Sequence, residues 1–181
     1  MKKIAALLIL LASSGIVSAE TKTVKATVSD FQRGFIETVQ DYSTQYEAAP
    51  NELKKSSVAK KRIDAFAKLQ GDPRKIAGWY GTIQKLGTNG DGDAFITIRL
   101  LVDNITVSTW NNSISDAGSN TLIKNGSPVY EALSEMSEGN VVKFSGALGK
   151  AKNLSERARM TEPDFLFKFS KVEKVGDSTT Q

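Results

Sequence analysis

The chain of 181 residues contains no cysteine and no histidine. Without cysteine there is no disulfide, so an exported form would depend on its apolar core alone. Metal centres built on thiolate or imidazole are excluded, as are Ser-His-Asp and Cys-His catalysis. A lipid-modified N-terminal cysteine is excluded too. Proline is scarce, with four in all, and each falls where an element should begin or end. No long unbroken hydrophobic run exists either. The apolar stretch from Ile4 to Val17 is interrupted by Ser13, Ser14 and Gly15, and it is shorter than the roughly 20 residues of a spanning helix.

That stretch has the form of a secretory leader. Lys2 and Lys3 precede it, and Val17-Ser18-Ala19 ends it with small residues. We expect a signal peptide over residues 1–19 with cleavage after Ala19, leaving a periplasmic or secreted chain without a membrane anchor. Excess charge is also missing. Lys2 and Lys3 account for half of the formal charge of +4, so the remainder carries only +2. That balance is a weak pointer to polyanion partners.

Two helices are expected over residues 20–72. Ser29 followed by Gln32 has the form of a capping box. Phe31, Phe35, Val39, Tyr42 and Tyr46 then share one helical face. Pro50 ends the first helix and Asn51 caps the second. Leu53, Val58, Ile63, Phe66 and Leu69 give the second an imperfect apolar stripe, which Gly71 and Pro73 close. The pair reads as a helical hairpin. Lys54, Lys55, Lys60, Lys61 and Arg62 cluster on the second helix. They form either a patch for phosphates or a solvated face supported by Glu52 and Asp64.

Residues 73–176 read as strands with one helix among them. Ile76 to Leu86 is the first strand, with Gly78 and Gly81 flanking Trp79-Tyr80 as marks of a bulge or bend. Phe95 to Leu100 is the second, and Ile105 to Trp110 the third, where Ile105, Val107 and Thr109 share a face. A polar loop over residues 111–126 leads to a helix capped by Ser127 with Pro128 in its first turn. Val141 to Gly146 is the fourth strand. A basic loop from Lys150 to Arg159 precedes the fifth, Pro163 to Val175, where Phe165, Phe167 and Phe169 alternate. Residues 177–181 are a polar tail expected to be disordered. The fold class is therefore α+β, mainly β. The expected architecture is a five-stranded OB barrel with a helix between strands 3 and 4, preceded by the helical hairpin.

Trp79-Tyr80-Gly81-Thr82-Ile83, Thr109-Trp110-Asn111-Asn112, Asn120-Thr121-Leu122-Ile123, Lys143-Phe144-Ser145-Gly146 and Glu162-Pro163-Asp164-Phe165 carry a resemblance. The chain resembles small exported bacterial OB-fold proteins of the tRNA-anticodon-binding-like, nucleic-acid-binding-like group. The resemblance implies the barrel. It implies a ligand only by analogy of fold, and fold does not fix function. It carries over no catalytic residue.

The residues themselves suggest ligand-binding candidates. Trp79 and Tyr80 point to opposite faces, so one faces outward, either toward a ligand near Arg99 or beneath the hairpin. Trp110 would stack a base while Asn111 and Asn112 hydrogen-bond to it; equally, Trp110 closes the barrel end while the amides organise the loop. Lys150, Lys152, Arg157 and Arg159 would attract a polyanion, or they form a solvated arm. Asn89, Asp91 and Asp93 alternate like the start of an EF-hand loop, but Ala94 replaces the required Gly and Leu100 the required Glu, which favours a hairpin turn. Asp103, Asp116, Glu131 and Glu162 form no recognisable catalytic pair. The expected activity is thus non-enzymatic binding, with no cofactor or metal. The expected partner is single-stranded oligonucleotide or another extended polyanion. The alternative is an envelope protein contacted by the hairpin or the 111–126 loop, as an inhibitor or assembly factor would be.

Overall fold

The computed structural model describes residues 28–101 and 104–177. The expected signal peptide, Asp103 and the tail from residue 178 onward lie outside the described residues. Helices α1 (Asp30–Glu47) and α2 (Glu52–Phe66) are followed by strands β1 (Ile76–Thr88), β2 (Ala94–Leu100) and β3 (Thr106–Ser108). Short helices α3 (Ser113–Asp116) and α4 (Pro128–Ser134) precede β4 (Asn140–Ala151), and α5 (Glu156–Thr161) precedes β5 (Asp164–Asp177). No helix among the described residues is long and apolar enough to cross a membrane.

The strands close into a five-stranded barrel in the order β1-β2-β3-β5-β4. β3 and β5 run parallel, and every other neighbouring pair is antiparallel. Alternation along β2 explains why this sequence fills a barrel: Ala94, Ile96, Ile98 and Leu100 are buried, while Phe95, Thr97 and Arg99 are half-buried on the outside. Phe165, Phe167 and Phe169 of β5 complete the interior with Phe144 of β4. Closure of so small a barrel needs sharp bends. One lies at Gly78, which has φ +64° and sits where the β1–β4 register shifts between Ile76 and Trp79. A second is at Gly146, where an added Cβ would meet the Lys168 carbonyl and come within 2.6 Å of the Phe167 ring.

The two barrel ends are closed by different helices. α4 leads into the start of β4, contacts β5, and adds Leu133 to the core with Tyr130 and Met136 against it. α1 covers the end where β1 and β5 begin. Its Phe35 meets Trp79 at 5.3 Å and Phe165 at 5.1 Å between ring centroids.

The expected capping box at α1 forms only in part. Ser29 Oγ accepts from the Gln32 amide nitrogen at 3.2 Å. The Gln32 side chain does not turn back; it reaches β1 and bonds both backbone groups of Tyr80. Its Oε1 accepts from Tyr80 N at 3.0 Å, and its Nε2 donates to Tyr80 O at 2.7 Å. Tyr80 lies one residue before Gly81, where the β1–β2 pairing stops, so this amide takes the place of the missing strand neighbour. Gln32 is fully buried. Gln32→Leu strands two partly buried backbone groups, each worth about 1–3 kcal/mol if closed to water. Urea unfolding should therefore show a loss of about 2–4 kcal/mol, and a loss within error of zero would contradict the clamp.

The apolar stripe expected on α2 is corrected. Leu53 and Ile63 are 87% and 67% exposed. Residues 53, 58 and 63 are five apart, and at 3.6 residues per turn such steps rotate off any single face. The face turned inward instead runs through Val58, Ala59, Arg62, Phe66 and Leu69, with Arg62 the one buried residue of the helix. The third strand is shorter than expected, since only residues 106–108 pair. Thr109 leaves the ladder: its hydroxyl accepts from Ile96 N, and its own N–H bonds the Ile96 carbonyl. The basic loop after β4 is also corrected. β4 continues to Ala151, and residues 156–161 form α5, capped by Ser155 accepting from Ala158 N at 3.1 Å.

Candidate anion-binding cleft

The candidate residues from the sequence divide into three groups. Trp79 is 1% exposed, enclosed by Phe31, Phe35, Phe144 and Phe167. It belongs to the core and offers no stacking face, because the hairpin covers it. Arg99, half-buried on β2, lies in register with Thr82 and Thr106.

The second group gathers where β3 leaves the barrel. Trp110 is half-buried, its indole N–H pointing to Ser119 Oγ at 3.4 Å. Lys152 Nζ sits 5.1 Å from the centre of the Trp110 ring. The same ammonium donates to Thr109 O at 2.8 Å and Ser108 Oγ at 3.1 Å, with Asp164 at 3.6 Å. Lys152 is thereby committed to holding β4, β3 and β5 together, and one face of Trp110 is taken. Asn112 caps α3 by accepting from Ser115 N at 2.8 Å, and Asn111 accepts from the Asn112 amide. Asp116 accepts from Thr121 N, Thr121 Oγ1 and Leu122 N, so this carboxylate is a loop organiser. The Asn89 loop is a turn: Asn89 Oδ1 accepts from the N–H groups of Asp91 and Asp93, and Asp93 pairs with Lys124 at 2.6 Å. Among the described residues no group of three acidic side chains is placed to hold a metal ion.

The third group forms a site. Lys150 at the end of β4 and Arg159 on α5 line a cleft of about 570 Å³, together with Lys60 and Arg62 of α2. That volume suits a small ligand. Arg157 is exposed on α5 and does not line it. The basic cluster of the second helix and the basic segment after β4 are thus one feature. They meet because α5 docks on the hairpin. Glu156 Oε1 accepts from Ser56 Oγ at 3.0 Å and from the Tyr46 hydroxyl at 3.4 Å. Burial, then the nearby Glu156 charge, push the Tyr46 phenol above its ordinary range, which keeps it a donor. Arg62 Nη2 donates to Arg159 O at 2.9 Å.

Arg62 gives the cleft its character. It is 5% exposed, its guanidinium lies 5.7 Å from the Phe66 ring, and its Nε and Nη1 have no hydrogen-bond partner. Burial, with Arg159 as a second cation, lowers its pKa to about 10. A buried cation without a carboxylate is costly, and such groups are retained mainly where they serve a ligand or a mechanism. Four cations line the cleft against the single carboxylate of Glu156, which its hydroxyl partners hold. The arrangement can hold an anion by charge and by the planar fork of arginine.

The sequence reading treated Arg62 as part of a solvated or phosphate-facing run and missed its burial. The signal was present, because 62, 66 and 69 share a face with Phe66 and Leu69. No protein-family model, curated protein or solved structure matches the chain.

Proposed function

We propose that this chain is an exported, non-enzymatic OB-fold binding module whose ligand is anionic and is held in the cleft between α2 and α5. The OB reading rests on the strand order, the parallel β3–β5 pair and helix α4, the longer of two between β3 and β4. The leader expected over residues 1–19 from its sequence pattern supports export. The observation that carries the ligand reading is Arg62, buried without a counter-ion and ringed by Lys60, Lys150 and Arg159. Oligonucleotide or another polyanion remains the extended form of such a ligand. With Trp79 in the core and one face of Trp110 taken by Lys152, it would be bound through charge more than through base stacking.

A labelled single-stranded oligonucleotide and inorganic pyrophosphate, titrated at low and high salt, test this. For the oligonucleotide, binding at low salt should weaken with a log–log slope of about −2 to −3, at roughly 0.7 per phosphate neutralised. Lys60→Ala and Lys150→Ala should each make that slope shallower. Absence of binding by both probes at low salt, or binding indifferent to salt, removes the reading.

The second reading is an envelope protein-interaction module. It is favoured by Leu53 and Ile63, apolar side chains left in solvent on α2. Recovery of one stoichiometric partner, lost in Leu53→Ser/Ile63→Ser, would establish it over the first.

A further inference from the structure

The cationic cleft does not stand alone. A second hollow of about 230 Å³ lies beside it, and the two share Phe66, Gly149 and Phe165. The remaining wall of this hollow is Phe31, Phe35, Leu69 and Leu148, with Gly71 and Pro73 at its rim, so it presents no charged side chain. It lies where the hairpin meets the edge of β4. A continuous depression therefore runs from a guanidinium lacking a counter-ion to an aromatic and aliphatic recess.

We infer that the ligand is a single-chain amphiphile with one phosphate or carboxylate head, the head set against Arg62 and the chain laid along Phe66 and Phe165 into the apolar hollow. This rests on the anionic-ligand reading above and narrows it. Charge complementarity sets the head: one fully buried fork surrounded by the exposed side chains of Lys60, Lys150 and Arg159. Because Nε and Nη1 are closed to solvent, the acid group must displace part of that wall, and the exposed Arg159 side chain is free of the backbone contact that Arg62 makes. The small recess sets the tail, which is one short chain. Two acyl chains or a rigid polycyclic group would not fit 230 Å³. A nucleic acid would leave the recess empty, since its charge is distributed along the strand.

Octyl phosphate, octanoate, octanol and inorganic phosphate, titrated calorimetrically against the intact protein below micelle concentrations, test the inference. Octyl phosphate should bind roughly 100-fold more tightly than inorganic phosphate, the gain from burying three or four methylenes. In a butyl, hexyl, octyl series each added methylene should tighten binding about fourfold until the recess is filled. Octanoate should follow octyl phosphate, and octanol should bind more weakly than either. Arg62→Met should weaken octyl phosphate at least tenfold while leaving octanol unchanged. If inorganic phosphate binds and the alkyl series is flat, the amphiphile is overturned while the anion site stands. If no anion binds, both fall. If octanol matches octyl phosphate, the head-group role of Arg62 is overturned.

Discussion

Arg62→Met is expected to make the protein more stable and to weaken its affinity for anions at least tenfold. The arginine is 5% exposed with two nitrogens unpartnered. Its pKa is lowered to about 10, first by burial and then by Arg159. At about 1.4 kcal/mol per unit, this puts an upper bound of about 3 kcal/mol on the cost of keeping the charge. Solvent in the cleft reduces that figure. The bond to Arg159 O and the contact with Phe66 return about 1–2 kcal/mol. Methionine fills a similar volume without a charge. The net gain should be about 1–2 kcal/mol, seen as a rise of about 2–6 °C in the unfolding midpoint. The sign with pH follows from a base shifted downward. The folded state resists the proton, so the penalty is fully present at every pH below about 10 and fades only as pH rises from there toward the ordinary arginine range. Scanning calorimetry at neutral pH, beside the phosphate titration, reads both effects. A Met variant less stable than the parent, with anion binding intact, would show that Arg62 is a structural residue. Arg62→Lys keeps the charge and loses the fork, and should retain only part of the binding.

Trp79→Ala should cost about 3–5 kcal/mol, the usual range for removing a large buried aromatic side chain. Trp79 is the hinge between two sets of rings. Phe31 and Phe35 of α1 lie 5.7 and 5.3 Å from it, and Phe144 and Phe167 of the barrel 6.4 and 6.5 Å. Set against a total of 5–15 kcal/mol for a typical domain, such a loss approaches unfolding at physiological temperature. The damage should be uneven. Hydrogen exchange should accelerate most in α1 and α2, which lose their seat, and least in the β4–β5 ladder. Trp79→Phe, keeping a ring, should cost about 1–2 kcal/mol. A loss below about 1 kcal/mol for alanine would mean that the hairpin does not rest on the barrel through this residue.

Local signals in the sequence found local structure. Ser29, Asn51 and Ser127 each cap the helix expected of them, accepting from the N–H three residues on. Alternation placed Ile105, Val107 and Thr109 on one buried face and aligned the three phenylalanines of β5. Where two surfaces compete for one residue, the sequence was silent. Trp79 reads either as a ligand platform or as a seat for the hairpin, and the choice depends on where α1 docks. Leu53 and Ile63 drew attention because they are apolar, although their spacing cannot keep them together. Arg62 holds the right phase with Phe66 and Leu69 and was passed over because arginine is seldom buried. The cleft itself joins Lys60 to Lys150, and no short-range pattern predicts that meeting. Helix α5 shows the remaining difficulty: Ser155 is its only clear start signal, and six polar-rich residues carry little periodicity.

The covering of the barrel end by α1 has a consequence for biosynthesis. Phe35 packs on Phe165, 130 positions further along the chain. Helices α1 and α2 therefore have no barrel surface to settle on until the chain as far as β5 has left the ribosome. Contacts between such distant residues are paid for late in loop-closure entropy, and they slow folding. If the chain is exported as proposed, that delay is useful, because a threaded polypeptide must stay open until it has crossed.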